Sequence, residues 1–144
     1  MPNEVANEVK QVVALEVAEA DFERMCKARR IKTVDESWNA DEKATFAFIK
    51  EVICGAIGEG RLEVDSDDDP VLKPIGAEGN VPARIKFKKA KGTTLLAMDG
   101  KIGGARQFAA YADMSGIGAS HFGNLQFHDV EVLAKLFALF FQAR

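Results

Sequence analysis

The sequence predicts an α+β domain in which helices dominate and a small antiparallel sheet of two or three strands completes the fold. Three observations predict it. Asn39-Ala40-Asp41-Glu42 is a capping-box pattern followed by apolar residues at helical spacing. Arg84-Ile85-Lys86-Phe87-Lys88 alternates polar and apolar side chains, the period of a half-buried strand. Residues 129–144 form a helix that is apolar on most of its circumference, and such a helix must be covered by something.

The elements follow in order. Residues 3–20 hold only Val, Ala, Leu, Asn, Glu, Lys and Gln, with Val5, Val9, Val12 and Val13 at helical spacing. Four β-branched residues make a weak stripe, so residues 1–20 are expected to be a helical arm or a tail, and residues 21–144 the α+β domain. Asp21 is the expected cap of a helix reaching Arg30, with Phe22, Met25 and Cys26 on its apolar face. Residues 31–38 read as a loop. The capped helix then runs from Asn39 to Ile57 on a stripe of Phe46, Ile49, Val52, Ile53, Ala56 and Ile57, and Gly58 and Gly60 stop it.

Arg61-Leu62-Glu63-Val64 alternates as a strand, Asp65 to Pro70 turn, and Val71-Leu72 return as the second strand of a hairpin. Residues 73–82 form a loop with two prolines and two glycines. A strand over 83–88 leads through Lys91-Gly92-Thr93-Thr94 into a short helix ending at Met98. Residues 105–114 are helical, with Phe108, Tyr111 and Ala112 on one side. Residues 115–124 are a loop, and the terminal helix begins near His128.

Length and composition set the class. A chain of 144 residues suits one domain, and that length buries roughly 68–70% of the unfolded surface, enough for a real core. The net charge of −3 disfavours nucleic acid as the main partner. Met1 to Val5 lack a basic region followed by a long apolar run, so no signal peptide is expected. The longest apolar-rich run, residues 130–141, is too short to span a bilayer. Cys26 and Cys54 both fall on apolar helical stripes, which predicts inert thiols in a reducing compartment.

The chemical motifs fail one by one. Asp65, Asp67 and Asp69 resemble the start of a calcium loop, but the sixth and twelfth positions hold Pro70 and Gly76 instead of glycine and glutamate. A solvated acidic turn is the expectation. Cys26, Cys54, His121 and His128 lack zinc spacing. Gly116-Ile117-Gly118 lacks the third glycine and the preceding strand of a dinucleotide fingerprint. No cofactor or metal and no enzymatic activity is expected. Arg84, Lys86 and Lys88 on one strand face, joined by Lys89 and Lys91, would suit a nucleic-acid module, but no aromatic side chain interleaves with them. A solvated edge is the preferred expectation.

Protein binding remains. In the terminal helix Val130, Leu133, Phe137 and Phe140 form one stripe, widened by Val132, Leu136, Leu139 and Phe141. Sequence leaves two roles open for it: a central core helix, or a helix whose exposed arc docks a partner or a second copy of the chain. The candidate partner-binding residues are Leu95, Phe108, Tyr111, Val130, Leu133, Phe137, Phe140 and Phe141.

Residues 82–142 resemble a family of tail assembly chaperones of long-tailed bacteriophages. The resemblance rests on Ile85-Lys86-Phe87-Lys88, on Lys91-Gly92-Thr93-Thr94-Leu95, on residues 108–115, and on Leu125-Gln126-Phe127-His128-Asp129 leading into Leu133, Leu136 and Phe140. Ala90-Lys91 stands where the family has Pro-Thr. The resemblance implies a small protein of the bacterial host cytoplasm that binds the tape-measure protein and keeps it soluble while tail-tube subunits polymerise around it. Family members can have an extended form made by ribosomal frameshifting. A self-assembling structural component of the tail is the alternative.

Overall fold

A computed structural model describes residues 11–33 and 35–141. Its elements are α1 (Leu15–Ala28), α2 (Ala40–Gly58), β1 (Leu62–Val64), β2 (Pro70–Leu72), β3 (Ile85–Lys86), α3 (Gly92–Met98), α4 (Gly103–Ser115), a 3-10 helix (Ala119–Asn124) and α5 (Phe127–Phe141). The fold is α+β, mostly helical, with one three-stranded antiparallel sheet in the order β1-β2-β3.

Helix α1 starts at Leu15, not at Asp21 as expected. The apolar stripe begins at Ala18, which with Phe22, Met25 and Cys26 is wholly buried, so the helix must already be wound before residue 21. Asp21 sits inside it and pairs with Arg24 at 3.1 Å instead of capping. The segment expected as an arm is joined to the fold from residue 12: the N–H groups of Val12 and Val13 donate to the Gly58 carbonyl at 2.6 and 3.1 Å. Val5 and Val9 lie outside the described residues. The helix ends with Arg30 in the left-handed region (φ 56°), and the Ile31 N–H reaches back to the Cys26 carbonyl at 2.9 Å. This closure usually takes glycine.

Helix α2 is built as its sequence indicates. Asn39 Oδ1 accepts from the Glu42 N–H at 2.8 Å, and Glu42 Oε1 accepts from the Asn39 N–H at 2.9 Å. Gly60 (φ 79°) lets the Arg61 N–H return to the Ala56 carbonyl and turns the chain into β1. In the sheet Leu62 faces Leu72 and Val64 faces Pro70, while Leu72 faces Ile85 and Val71 faces Lys86. The third strand is shorter than the expected 83–88, because only Ile85 and Lys86 find partners on β2; Phe87 adds one bond to the Pro70 carbonyl. The expected loop 115–124 holds the 3-10 turn, whose Phe122 is fully buried.

Helix α5 is a core helix. Val132, Leu133, Leu136 and Leu139 are buried, and they join Phe22, Ile53, Leu62, Leu72, Phe87, Tyr111 and Phe122 in one apolar cluster. The wholly buried Asp129 anchors its first turn. One carboxylate oxygen accepts from Arg61 at 3.1 Å and the other from the Ile75 N–H at 3.0 Å. A buried carboxylate is tolerated only when paired and hydrogen-bonded in this way. Residues 142–144, the expected last turn of this helix, lie outside the described residues. Among the described residues no helix is long and apolar enough to cross a membrane.

Candidate protein-binding surface

The surface begins where the sheet ends. Phe87 is buried with its ring 4.7 Å from that of Tyr111, and the Lys88 N–H donates to the Met114 carbonyl, so the chain leaves β3 along α4. The Lys91 N–H donates to Thr94 Oγ1, which opens α3. Both Thr93 and Thr94 hydroxyls donate to the same oxygen of Asp113 on α4. Thr94 and Met98, four residues apart and thus on one face, are the buried side chains of α3.

The other face is exposed among the described residues. Leu95 is 66% exposed and Leu96 74%, and beyond the Asp99-Gly100 turn Ile102 is 86% exposed. A cleft of about 430 Å³ is lined by Leu95, Leu96, Met98, Asp99, Lys101 and Arg106. The arrangement presents apolar side chains beside two cations and the Asp99 carboxylate.

The expected site residues separate. Leu95 lies on this surface. Tyr111 and Leu133 do not: both are fully buried, and the Tyr111 hydroxyl donates to the Leu133 carbonyl. Burial pushes the Tyr111 phenol well above its ordinary range. Phe108, half-buried, stacks on Phe122 at 5.9 Å. Val130, Phe137, Phe140 and Phe141 are half-buried against the core. The Phe137 ring lies 4.8 Å from Phe141 and 6.4 Å from Tyr111, and the Arg106 guanidinium stands 6.0 Å from its centre. Phe140 lies under the Arg29 guanidinium at 4.5 Å. Terminal-helix apolarity is therefore satisfied mainly within the chain. Leu96 and Ile102 are the surface residues that sequence reasoning missed. Little in the sequence marks them: on a helix of seven residues, periodicity does not decide whether the Leu95-Leu96 side or the Thr94-Met98 side is packed.

The other candidate groups are accounted for by structure. The carboxylates of Asp65, Asp67 and Asp69 lie within 4.8 Å of one another, but Lys86 brings its ammonium to all three, at 2.8 Å from Asp65 and 3.6 Å from Asp69. Its bonds to Asp65 and Asp67 push the Lys86 ammonium up. The turn is thus partly neutralised from within the chain; Asp67 stays exposed, whereas Asp69 is buried, not solvated as expected. Arg29 also pairs with Asp69 at 3.0 Å. On the basic strand Arg84 stays exposed while pairing with Glu63, and Lys86 is bound by the aspartate turn. Cys54 lines a groove of about 600 Å³ between α1 and α2 with Leu15, Lys50 and Glu51. Burial pushes its thiol up to about 11, which leaves little thiolate at neutral pH. His128 Nε2 lies 3.7 Å from Glu59.

Comparison with protein-family models, curated proteins and solved structures finds no match.

Proposed function

We propose that this chain is a non-enzymatic tail assembly chaperone that binds a tape-measure or tail-tube protein in the cytoplasm of a bacterial host. The observation that carries the reading is the joint exposure of Leu95, Leu96 and Ile102 on a helical hairpin whose inner face is locked by Thr94 and Asp113. Burying a leucine is worth about 1.5–3 kcal/mol, so three large aliphatic side chains held in water are a standing cost that a partner can remove. The same hairpin lies inside residues 82–142, the stretch that resembles the chaperone family. The mode of binding is helix-in-groove: an apolar stripe of the partner seats between the leucines. Ion pairing of Arg84 and Lys86 within the chain weighs against a nucleic-acid module on that strand.

The test is co-expression with a tape-measure protein of a long-tailed bacteriophage. The two are expected to co-elute, with the tape-measure protein soluble only when the chain is present. A Leu95→Asp, Leu96→Asp, Ile102→Asp triple variant is expected to keep its circular dichroism and lose the partner. An insoluble tape-measure protein with the wild-type chain would overturn the reading. Light scattering that grows into rings or tubes would favour a self-assembling tail component instead.

A further inference from the structure

We infer that the cleft beside α3 selects an acidic amphipathic helix: a partner segment with a stripe of large apolar side chains flanked by glutamates or aspartates. The inference rests on the protein-binding reading above and adds the chemistry of the segment that is bound.

The charge distribution carries it. Residues 88–106 hold Lys88, Lys89, Lys91, Lys101 and Arg106 against Asp99, a net of +4 in a chain whose total is −3. The remainder of the molecule is therefore strongly acidic. Ion pairing separates these cations from the other basic residues of the region. Arg84 and Lys86 are held by Glu63, Asp65 and Asp67. Lys88, Lys89, Lys91, Lys101 and Arg106 make no ion pair among the described residues. The four lysines are exposed. Lys101 lies on the hairpin that exposes Leu95, Leu96 and Ile102, while Lys88, Lys89 and Lys91, just before it, line a separate depression with Asp67 and Asp69. Arg106 and Lys101 line the cleft with Leu95 and Leu96.

Two cations, Lys101 and Arg106, against one carboxylate, Asp99, beside exposed leucines fit either an acidic helix or an anionic bilayer. Shape favours the helix. The cleft is concave, about 430 Å³, and accepts a side chain, which a bilayer surface does not offer. The acidic remainder of the chain also opposes approach to an anionic surface within a Debye length, ~8 Å at physiological salt.

The experiment titrates the full chain with three probes. One is a synthetic helix with a leucine stripe flanked by glutamates, the second has lysines in place of the glutamates, and the third is a vesicle of equal phosphatidylcholine and phosphatidylglycerol. Fluorescence anisotropy is expected to give about tenfold tighter binding to the glutamate helix than to the lysine helix at low salt, with the gap closing as salt screens it. Leu96→Asp with Ile102→Asp should abolish binding of the glutamate helix. Lys101→Glu with Arg106→Glu should reverse the preference, leaving circular dichroism unchanged. Equal binding of the two helices would overturn the inference, as would an unchanged preference after charge reversal. Stronger binding to the vesicles would overturn it in favour of a membrane contact. Loss of the charge preference while tape-measure co-elution persists defeats this inference alone. The preference persisting without co-elution defeats the chaperone reading and leaves the acidic-helix site standing.

Discussion

Helices α5 and α3 invert what their compositions suggest. Helix α5 is the most apolar segment of the chain, yet Leu133 and Leu136 on it are essentially inaccessible; α3 is short and half polar, yet Leu95 and Leu96 stand in water. Coverage, not local hydrophobicity, makes the difference. Helix α5 is long enough to be met by α2 along its length, by Tyr111 of α4 and by the guanidinium of Arg29. Helix α3 is two turns long and packs mainly on α4, so one face is used and Leu95 and Leu96 are left exposed. An apolar helix is thus a poor indicator of an interface when enough of the chain remains to bury it.

The largest effects should come from breaking the covered region. Asp129→Ala leaves the Arg61 guanidinium and the Ile75 N–H facing an empty buried site, and removing one partner of a buried pair costs about 3–5 kcal/mol. Urea denaturation should show that loss. Leu136→Ala should cost about 2–5 kcal/mol by the same measurement, since the side chain is wholly buried. A variant at Leu136 as stable as the parent would mean that α5 is not covered by its own chain, and the contrast with α3 would collapse.

Legibility from sequence followed locality. The start of α2 could be read because its cap is a contact between residues three apart, Asn39 and Glu42. The β1–β2 hairpin could be read from its alternation and its aspartate turn. The start of α1 could not, because it is set by Ala18 packing beside Cys54, a contact across the fold. The role of Asp129 as the anchor for Arg61 and Ile75 was not legible either, because it depends on residues 68 and 54 positions away. The binding surface was legible only in Leu95. Tyr111 and Leu133 were placed on it because helical periodicity marks an apolar face without saying what lies against it.

A smaller effect sharpens the comparison through the sheet, which feeds the chain into α3. Arg84 and then Lys73 hold the Glu63 carboxyl below its ordinary value of 4.5. Burial alone would raise Asp65, but the bonds from Lys86 and from the Asp69 and Asp67 N–H groups together bring it below 3.8. Both folded values are depressed, so these groups contribute stability that is present above about pH 4 and is lost as pH falls below it. Thermal melts should therefore drop between neutral pH and pH 3, and Lys86→Met should flatten that drop. An unaltered acid slope in Lys86→Met would remove the lysine from the account of the turn.

The smallest stability effect, and the most decisive for the contrast, belongs to α3. Leu96 is exposed and its removal creates no cavity, so Leu96→Asp should leave unfolding free energy within about 0.5 kcal/mol of the parent. Helix propensity works slightly against the aspartate, and Lys101 nearby works slightly for it; neither is worth more than a few tenths of a kcal/mol. The same substitution on the covered helix, Leu136→Asp, would bury a charge without a partner and unfold the chain. One chemical change at two leucines thus separates a side chain held by the core from one left exposed. A Leu96→Asp variant that melts several degrees below the parent would show that α3 packs against more than α4 and that its outer face is not a free surface.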